Sequence, residues 1–453
     1  MANENKMGYL PIKKLILQMS LPPMCSMFLQ YSYNLVDSMF VANINENALA
    51  AVSLSFPITT LMISLSIWIG VGINVLIAGY LGEKEQDLAD CATTLGLLVA
   101  LIVGICINIL ALLIMKPYFS AFTNNPAIFD YAMQYMSVCA FMQVPNMVHI
   151  AIQKVFQGTG NMITPMWFQI AGVIFNFVFD PLLIFGIGPF PELGVSGAAA
   201  ATVTAQALVS LLFFKAVLRE KVLFPHLRLW VLFPVKVWRE IVRIGVPSAV
   251  QNLIYAGISM ILTRLITGWG DLAVAAQRVG SQIESVSWMV GDGFSAAVNA
   301  FLGQNYGAKR YDRVRRGYFC AIAMTAAWGL CTTFLLIGMA RPLFSIFLQE
   351  EEVMALGVNY LRIVGLSQMF MMVEQTSIGA FSGLGRTLYP SIVSVTFTSA
   401  RIPVAVLLSS VMGLSGIWWA LSISSMVKGC ILFVSFVVFL YVFLERKKDE
   451  KTV

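Results

Sequence analysis

The chain has 453 residues, of which 58% are hydrophobic and only 11% are Asp, Glu, Lys or Arg, less than half the charged share of a soluble domain. At about 20 residues per spanning helix, that composition has room for twelve spans and none for a separate soluble domain, so a cytosolic enzyme is excluded. The net charge of +6 comes without a basic run rich enough for RNA or DNA, and fits loops that face anionic lipid.

Apolar runs between breakers predict helices over 14–42, 52–80, 92–115, 129–152, 163–186, 195–218, 241–267, 277–303, 316–339, 353–378, 388–412 and 415–444. The first run is too long for a signal-peptide core, so it reads as a membrane helix. Seven cysteines stand singly inside apolar stretches without metal-ligand spacing, the usage of small buried hydrophobes. Most of the bases gather in alternate loops, while the opposite side keeps Lys116 and Arg341 with the acidic Glu350, Glu351 and Glu352. Cytoplasmic connections retain Lys and Arg, so both termini are expected in the cytoplasm of a multi-pass plasma-membrane protein, and the short tails suit a bacterial inner membrane.

Sliding the chain along itself by 225 residues brings landmarks into register: Pro22 meets Pro247, Gly82-Glu83-Lys84 meets Gly307-Ala308-Lys309, and Phe156-Gln157-Gly158-Thr159-Gly160 meets Phe381-Ser382-Gly383-Leu384-Gly385. After a contraction the register resumes at 219, with Gly194-Val195-Ser196-Gly197 on Gly413-Leu414-Ser415-Gly416. Six helices per half return the chain to its starting side, so the two halves form a parallel repeat about an axis along the membrane normal. The expected division is an N-terminal six-helix lobe over 1–218, an interfacial cytoplasmic linker over 219–240 and a C-terminal six-helix lobe over 241–453. The fold class is an all-α integral membrane protein whose lobes can rock about a shared site, the geometry of alternating access.

An ionisable group at membrane depth is costly unless paired or hydrated, which makes each one a functional candidate. In the first half these are Asp37 and Asp180; Asn176 lies one turn before Asp180 on the same face, and Thr202 adds an oxygen. Two carboxylates, an amide and a hydroxyl suit a hard cation such as Na+ or a shared proton. The competing reading has Asp180, next to Pro181, satisfying backbone groups freed at a kink. Gln30, Tyr33, Asn34 and Asp37 recur at helical spacing and give the first helix a polar stripe. Pro22 and Pro23 permit a bend in the same helix. The partners of Asp37, Asn176 and Asp180 in the second half are Leu262, Arg401 and Ala405, so the cluster is not duplicated. That half holds Arg278, Glu284, Asp292, Glu374, Arg264, Arg362, Arg401 and Lys428 instead. Arg278, Glu284 and Glu374 are candidates for a substrate cavity with Gln30, Tyr33 and Asn34, against interior ion pairing as the alternative. His149 is a candidate for titration or a satisfied interior histidine. No phosphate-binding loop and no intramembrane protease or transferase motif is present, so neither a cofactor nor an enzymatic activity is expected.

Leu21-Pro22 followed by Tyr33-Asn34-Leu35-Val36-Asp37, the Phe156 to Gly160 stretch, Asn176 to Asp180-Pro181, Gly197 to Thr202, Ala275 to Val279 leading to Glu284, and Gly303 to Ala308 occur in this order. In that order and spacing the chain resembles the multidrug and toxic compound extrusion (MATE) family over nearly its whole length. The resemblance implies a V-shaped, two-lobed exporter that exchanges organic, often cationic, compounds for H+ or Na+. By motif match it implies that Asp37, Asn176, Asp180 and Thr202 hold the coupling ion, with Thr204 as the alternative to Thr202. Some members carry an acid early in the seventh helix, where this chain reads Pro247-Ser248-Ala249-Val250-Gln251-Asn252, so a second-lobe cation site of that type is not expected. Small organic substrates and membrane lipid are the expected partners of a monomer. A flippase for lipid-linked precursors is the first alternative, and an integral-membrane enzyme the second.

Overall fold

The computed structural model describes residues 6–42, 46–123, 125–141, 143–219, 223, 235–348 and 350–444; within these, the side chains of 6, 33–42, 46–49, 52, 53, 56, 57, 60, 63, 141, 443 and 444 lie outside the description. Among the described residues every regular element is helical, as a chain must be where lipid offers the backbone no partner. In the first half the helices are α1 (Ile12–Ala42), α2 (Glu46–Glu83), α3 (Gln86–Phe122), α4 (Pro126–Phe141), α5 (Gln143–Gly158), α6 (Ile163–Phe185) and α7 (Val195–Val217). The second half has α8 (Val235–Thr267), α9 (Asp271–Gly307), α10 (Tyr311–Gly338), the short α11 (Ala340–Ser345), α12 (Glu351–Gly365), α13 (Gln368–Gly383), α14 (Leu388–Ser399), α15 (Arg401–Met412) and α16 (Leu414–Phe439). Eight stretches of the described residues are long and apolar enough to cross a membrane, and up to ten if each bent pair of helices is one span. The two long helices left over, α1 and α9, carry the polar stripe and the charges Arg278, Glu284 and Asp292. With them the twelve expected segments are all helical.

Three of those segments are broken where single helices were expected. The segment expected at 353–378 is α12 and α13, bent by 50°; the hydroxyl of Ser367 donates to the Val364 carbonyl at 2.8 Å, drawing that acceptor out of the helical ladder. The segment expected at 388–412 changes helix at Ala400, three residues before Pro403, whose missing N–H leaves the Ser399 carbonyl without its helical donor. The segment expected at 129–152 is α4 and α5, bent by 46°, with residue 142 outside the described residues.

Backbone conformation carries the repeat as firmly as the sequence does. Left-handed φ values occur at Lys84 (63°) and Lys309 (56°), at Gly160 (88°) and Gly385 (70°), and at Gly194 (55°) and Gly413 (64°), with displacements of 225, 225 and 219. A lysine there costs roughly 1 kcal/mol or more, and both halves keep it.

The chain forms two compact units, and they are not simply its two halves. One contains the chain up to Met24, Leu81–Lys84 and Pro247 onward; the other contains Cys25–Tyr80 and Glu85–Val246. The boundaries expected at 218 and 241 follow the repeat, whereas the compact units divide the chain beside Pro22 and at Pro247. The beginning of α1 therefore belongs with the second-half helices and the beginning of α8 with the first-half helices. Ser20 and Met24 pack on Gly293 of α9, where an added Cβ would lie 3.0 Å from the Ser20 carbonyl oxygen. Gly245 of α8 packs against the Trp68 carbonyl of α2 in the same way. Ser20 and Gly245 are repeat partners, as are Trp68 and Gly293, so one crossing is built twice with the glycine on opposite helices. The N-terminal 3-10 turn Lys6–Gly8 is tied down further: Arg313 donates to the carbonyls of Met7 (3.1 Å) and Leu10 (2.7 Å), and Asn305 donates to Met7 (3.3 Å).

Within the unit built mainly from the first half, α3 packs on α4 and α5, α6 on α7, and α7 on α4 and α5. In the other, α13 is central, packed against α9, α10 and α16, with α15 on α16. Leu262 and Ala405 lie in an apolar core there with Trp418 and Tyr360.

Candidate functional site

α6 and α7 form an antiparallel pair joined by the turn between Phe185 and Val195, with Gly186 in left-handed conformation and Gly194 at positive φ. Asn176 and Asp180 are one turn apart on α6 and point the same way, so the Asn176 amide donates to Asp180 Oδ1 at 3.2 Å. The same amide donates to Thr202 Oγ1 of α7 at 3.4 Å. Asn176 and Asp180 are 2% and 1% exposed. Thr204, the alternative to Thr202, is exposed and turned to its own helix, donating to the carbonyls of Ala200 and Ala201. Three of the four expected coupling residues therefore meet. The fourth, Asp37, is on α1, and its side chain lies outside the described residues, as do those of Tyr33 and Asn34.

The chemistry of this cluster follows from its donors and acceptors. Both amide protons of Asn176 are committed, while its carbonyl oxygen is buried without a partner. A buried acceptor left unpaired costs about 1–3 kcal/mol. Together with the Asp180 carboxylate and the Thr202 hydroxyl it gives a set of oxygens in low dielectric, suited to a small hard cation or a proton. Among the described residues no three His, Cys, Asp or Glu side chains gather as they would around a transition metal.

The second-half charges are arranged differently. Glu284 is half-buried, and its carboxylate accepts from Trp288 Nε1 (3.3 Å), Tyr360 OH (3.1 Å) and Gln368 Nε2 (3.1 Å). Glu374 and Lys428 form an ion pair at 2.7 Å with both side chains buried. Arg401 is buried, donates to the hydroxyls of Ser424 and Ser425 at 3.1 Å each, and lies over the Tyr255 ring at 5.8 Å. Arg278 is exposed on α9, and Gln30 is exposed on α1. Of the expected cavity residues, Glu374 is thus committed to Lys428 inside its own unit, and Glu284 to three neutral donors. Sequence reasoning did not single out Gln368, Ser424 or Ser425, and it marked Tyr360 only as the repeat partner of Tyr135; a signal existed for Gln368, which stands at the repeat position of Gln143.

A family model described as MatE matches residues 22–182 and again 247–407. The chain belongs to the MatE family. The two matches start and end 225 residues apart, so the duplication read from the sequence is one family unit used twice. Across 430 residues the chain is 26% identical to the "FAD transporter" of Shewanella oneidensis, covering 92% of this chain and 93% of that one. It is 21% identical over 437 residues to the "Multidrug export protein MepA" of Staphylococcus haemolyticus, covering 94% and 93%. The fold matches that of a MATE protein crystallised in complex with MaD3S (TM-score 0.91, 23% identity, 98% and 100% covered). It also matches a MOP superfamily transporter from Pyrococcus furiosus (TM-score 0.89, 22% identity, 98% and 99% covered). The MATE resemblance of the sequence holds, and membership places the chain among multi-pass membrane transporters rather than enzymes.

Proposed function

We propose that this MatE protein is a secondary antiporter that exports organic compounds in exchange for an inward-moving H+ or Na+, by alternating access, with both termini in the cytoplasm. The observation that carries this reading is the unpartnered carbonyl oxygen of Asn176 beside Asp180 and Thr202, in a cluster nearly sealed from solvent. Buried amide oxygens without a partner also occur at Asn74, Asn108, Asn299 and Asn305; that of Asn176 is set apart by the buried carboxylate and the hydroxyl its amide binds. Asp37, on α1, is assigned to the same site by motif match. Relatives named as exporters of drugs support export of organic substrates.

A second reading concerns charge type. Arg401 is a buried guanidinium whose side-chain hydrogen bonds go to serine hydroxyls, an arrangement able to accept an organic anion, and one relative is named as an FAD transporter. Efflux from proteoliposomes of purified protein, with a pH gradient or a Na+ gradient imposed separately, tests the first reading. Gradient-driven efflux of an organic cation that is lost in Asp37→Asn and Asp180→Asn is expected. Efflux of FAD in preference to every cation tried would favour the second.

A further inference from the structure

The Asp180 cluster lies near the end of the bundle where α6 passes into α7, and a coupling ion must reach the other end. The helix faces offer a run of polar side chains. On α7, Thr202, Gln206 and Ser210 follow at i, i+4 and i+8, and on α5 His149, Gln153 and Gln157 do the same. Both helices run toward the end marked by Gly158 and Val217. At 1.5 Å per residue each stripe covers about 12 Å, and together they cover about 24 Å of an apolar core roughly 30 Å thick. The two stripes join where Ser210 Oγ meets His149 Nδ1 at 3.3 Å. Below the junction, Gln169 of α6 donates to Gln153 at 3.4 Å, and Lys154 donates to Gln157 at 2.9 Å.

We propose that His149, with Ser210, relays protons between the Asp180 cluster and the face of the bundle at Gly158. The proposal rests on the antiport reading and deepens it, since a track of amides, hydroxyls and an imidazole carries H+ rather than Na+. The imidazole suits the task because each nitrogen can take or give a proton. The Ser210 hydroxyl donates to the Gln206 carbonyl at 2.8 Å, so its oxygen can accept from Nδ1–H while Nε2 keeps its lone pair. A proton taken up at Nε2 is balanced by release of the Nδ1 proton to the serine oxygen as the Ser210 O–H turns from the Gln206 carbonyl to a bridging water and gives that water its own proton; a flip of the ring then restores the starting tautomer. Neighbours four residues apart stand about 5–6 Å apart at Cβ, a gap one water bridges. The ring is 5% exposed and stacks on Phe213 with centroids 5.9 Å apart; packing alone would be met by Phe, at lower desolvation cost. Titratable groups on the elements packed on α5 are Tyr80 and Glu83 of α2, Asp87, Asp90, Cys91, Cys106, Lys116 and Tyr118 of α3, Asp130, Tyr131, Tyr135 and Cys139 of α4, Asp180 of α6, Lys215 of α7, and Lys154 of α5 itself. The hydrogen bond described for the imidazole is the one with Ser210.

The test uses the full chain in proteoliposomes with ethidium as probe, comparing efflux driven by a pH gradient with ethidium-for-ethidium exchange, which needs no net proton movement. His149→Phe keeps the ring stack, and Ser210→Ala removes one oxygen. Either variant is expected to slow pH-driven efflux by about tenfold or more while exchange stays within about twofold. If His149→Phe fails to fold, Ser210→Ala carries the test. Undiminished pH-driven efflux, or efflux and exchange falling in step, overturns the relay. Efflux driven by Na+ alone overturns the relay and leaves the antiport reading standing. Efflux driven by neither ion brings down the antiport reading itself.

Discussion

The two halves place different chemistry at one and the same crossing. His149 and Glu374 are repeat partners at 225, and Ser210 corresponds at 219 to Gly429, next to Lys428. Where α5 meets α7 there is a histidine against a hydroxyl at 3.3 Å; where α13 meets α16 there is an ion pair at 2.7 Å. A buried ion pair is costly to open, because each charge left alone loses its compensation, so the second crossing is locked. The first holds no formal charge that must be separated. Duplication gave one framework; on the proposal made above, divergence gave one half a path for an ion, and it gave the other half a buried charge pair. The same contrast recurs at the Asp180 cluster, where Asn176 and Asp180 correspond in the repeat to Arg401 and Ala405.

The sharpest way to break this comparison is to neutralise the acid. Asp180→Asn is expected to lower gradient-driven ethidium efflux about 100-fold or more, within the range spent on removing an essential proton carrier, while the protein keeps its yield and elution volume in detergent. The lock should respond in stability instead. Lys428→Met leaves the Glu374 carboxylate buried and alone, at a cost of about 3–5 kcal/mol, read as a large drop in melting temperature. Adding Glu374→Gln should recover most of that loss, and if the double variant is no better than the single one, the pair is not a lock. The mirrored crossings give a smaller effect that should be alike in both halves. Gly245→Val drives a side chain into the Trp68 carbonyl and Gly293→Val into Ser20 and Met24. Each should cost about 1–3 kcal/mol, and unequal costs would show that the crossings are not equivalent. Smallest of all is the outer ion pair of Arg341 with Glu351, 2.8 Å apart but with side chains 66% and 71% exposed. Arg341→Ala should change the melting free energy by less than about 0.5 kcal/mol and efflux not at all.

Much of this was legible in the chain itself. Helix-length apolar runs and the 225-residue register need no tertiary information, and the spacing of Asn176 and Asp180 puts them on one face in any α-helix. Thr202 and Thr204 could not be told apart, because both are near the start of α7 and only the pairing of α6 with α7 decides which meets Asn176. The exchange of the first segments of α1 and α8 was hidden for a deeper reason. A repeat shows which residues are equivalent, and it is silent about whether a segment packs on its own half or on the other. The pairing of His149 with Ser210 and of Glu374 with Lys428 was hidden in the same way, since these residues are far apart in the chain. The bend at Ser367 had no proline or charge to announce it. Pro403 did announce the change of helix at Ala400, but the apolar run continues through it.

The central claim is that ion coupling belongs to one half alone, and a single paired measurement addresses it. Proton uptake into proteoliposomes during ethidium release, followed with a trapped pH dye, should vanish in Asp180→Asn. In the double variant Glu374→Gln with Lys428→Met, uptake per ethidium should equal that of the unaltered chain. Uptake that persists in Asp180→Asn, or that disappears in a folded double variant, would contradict the account.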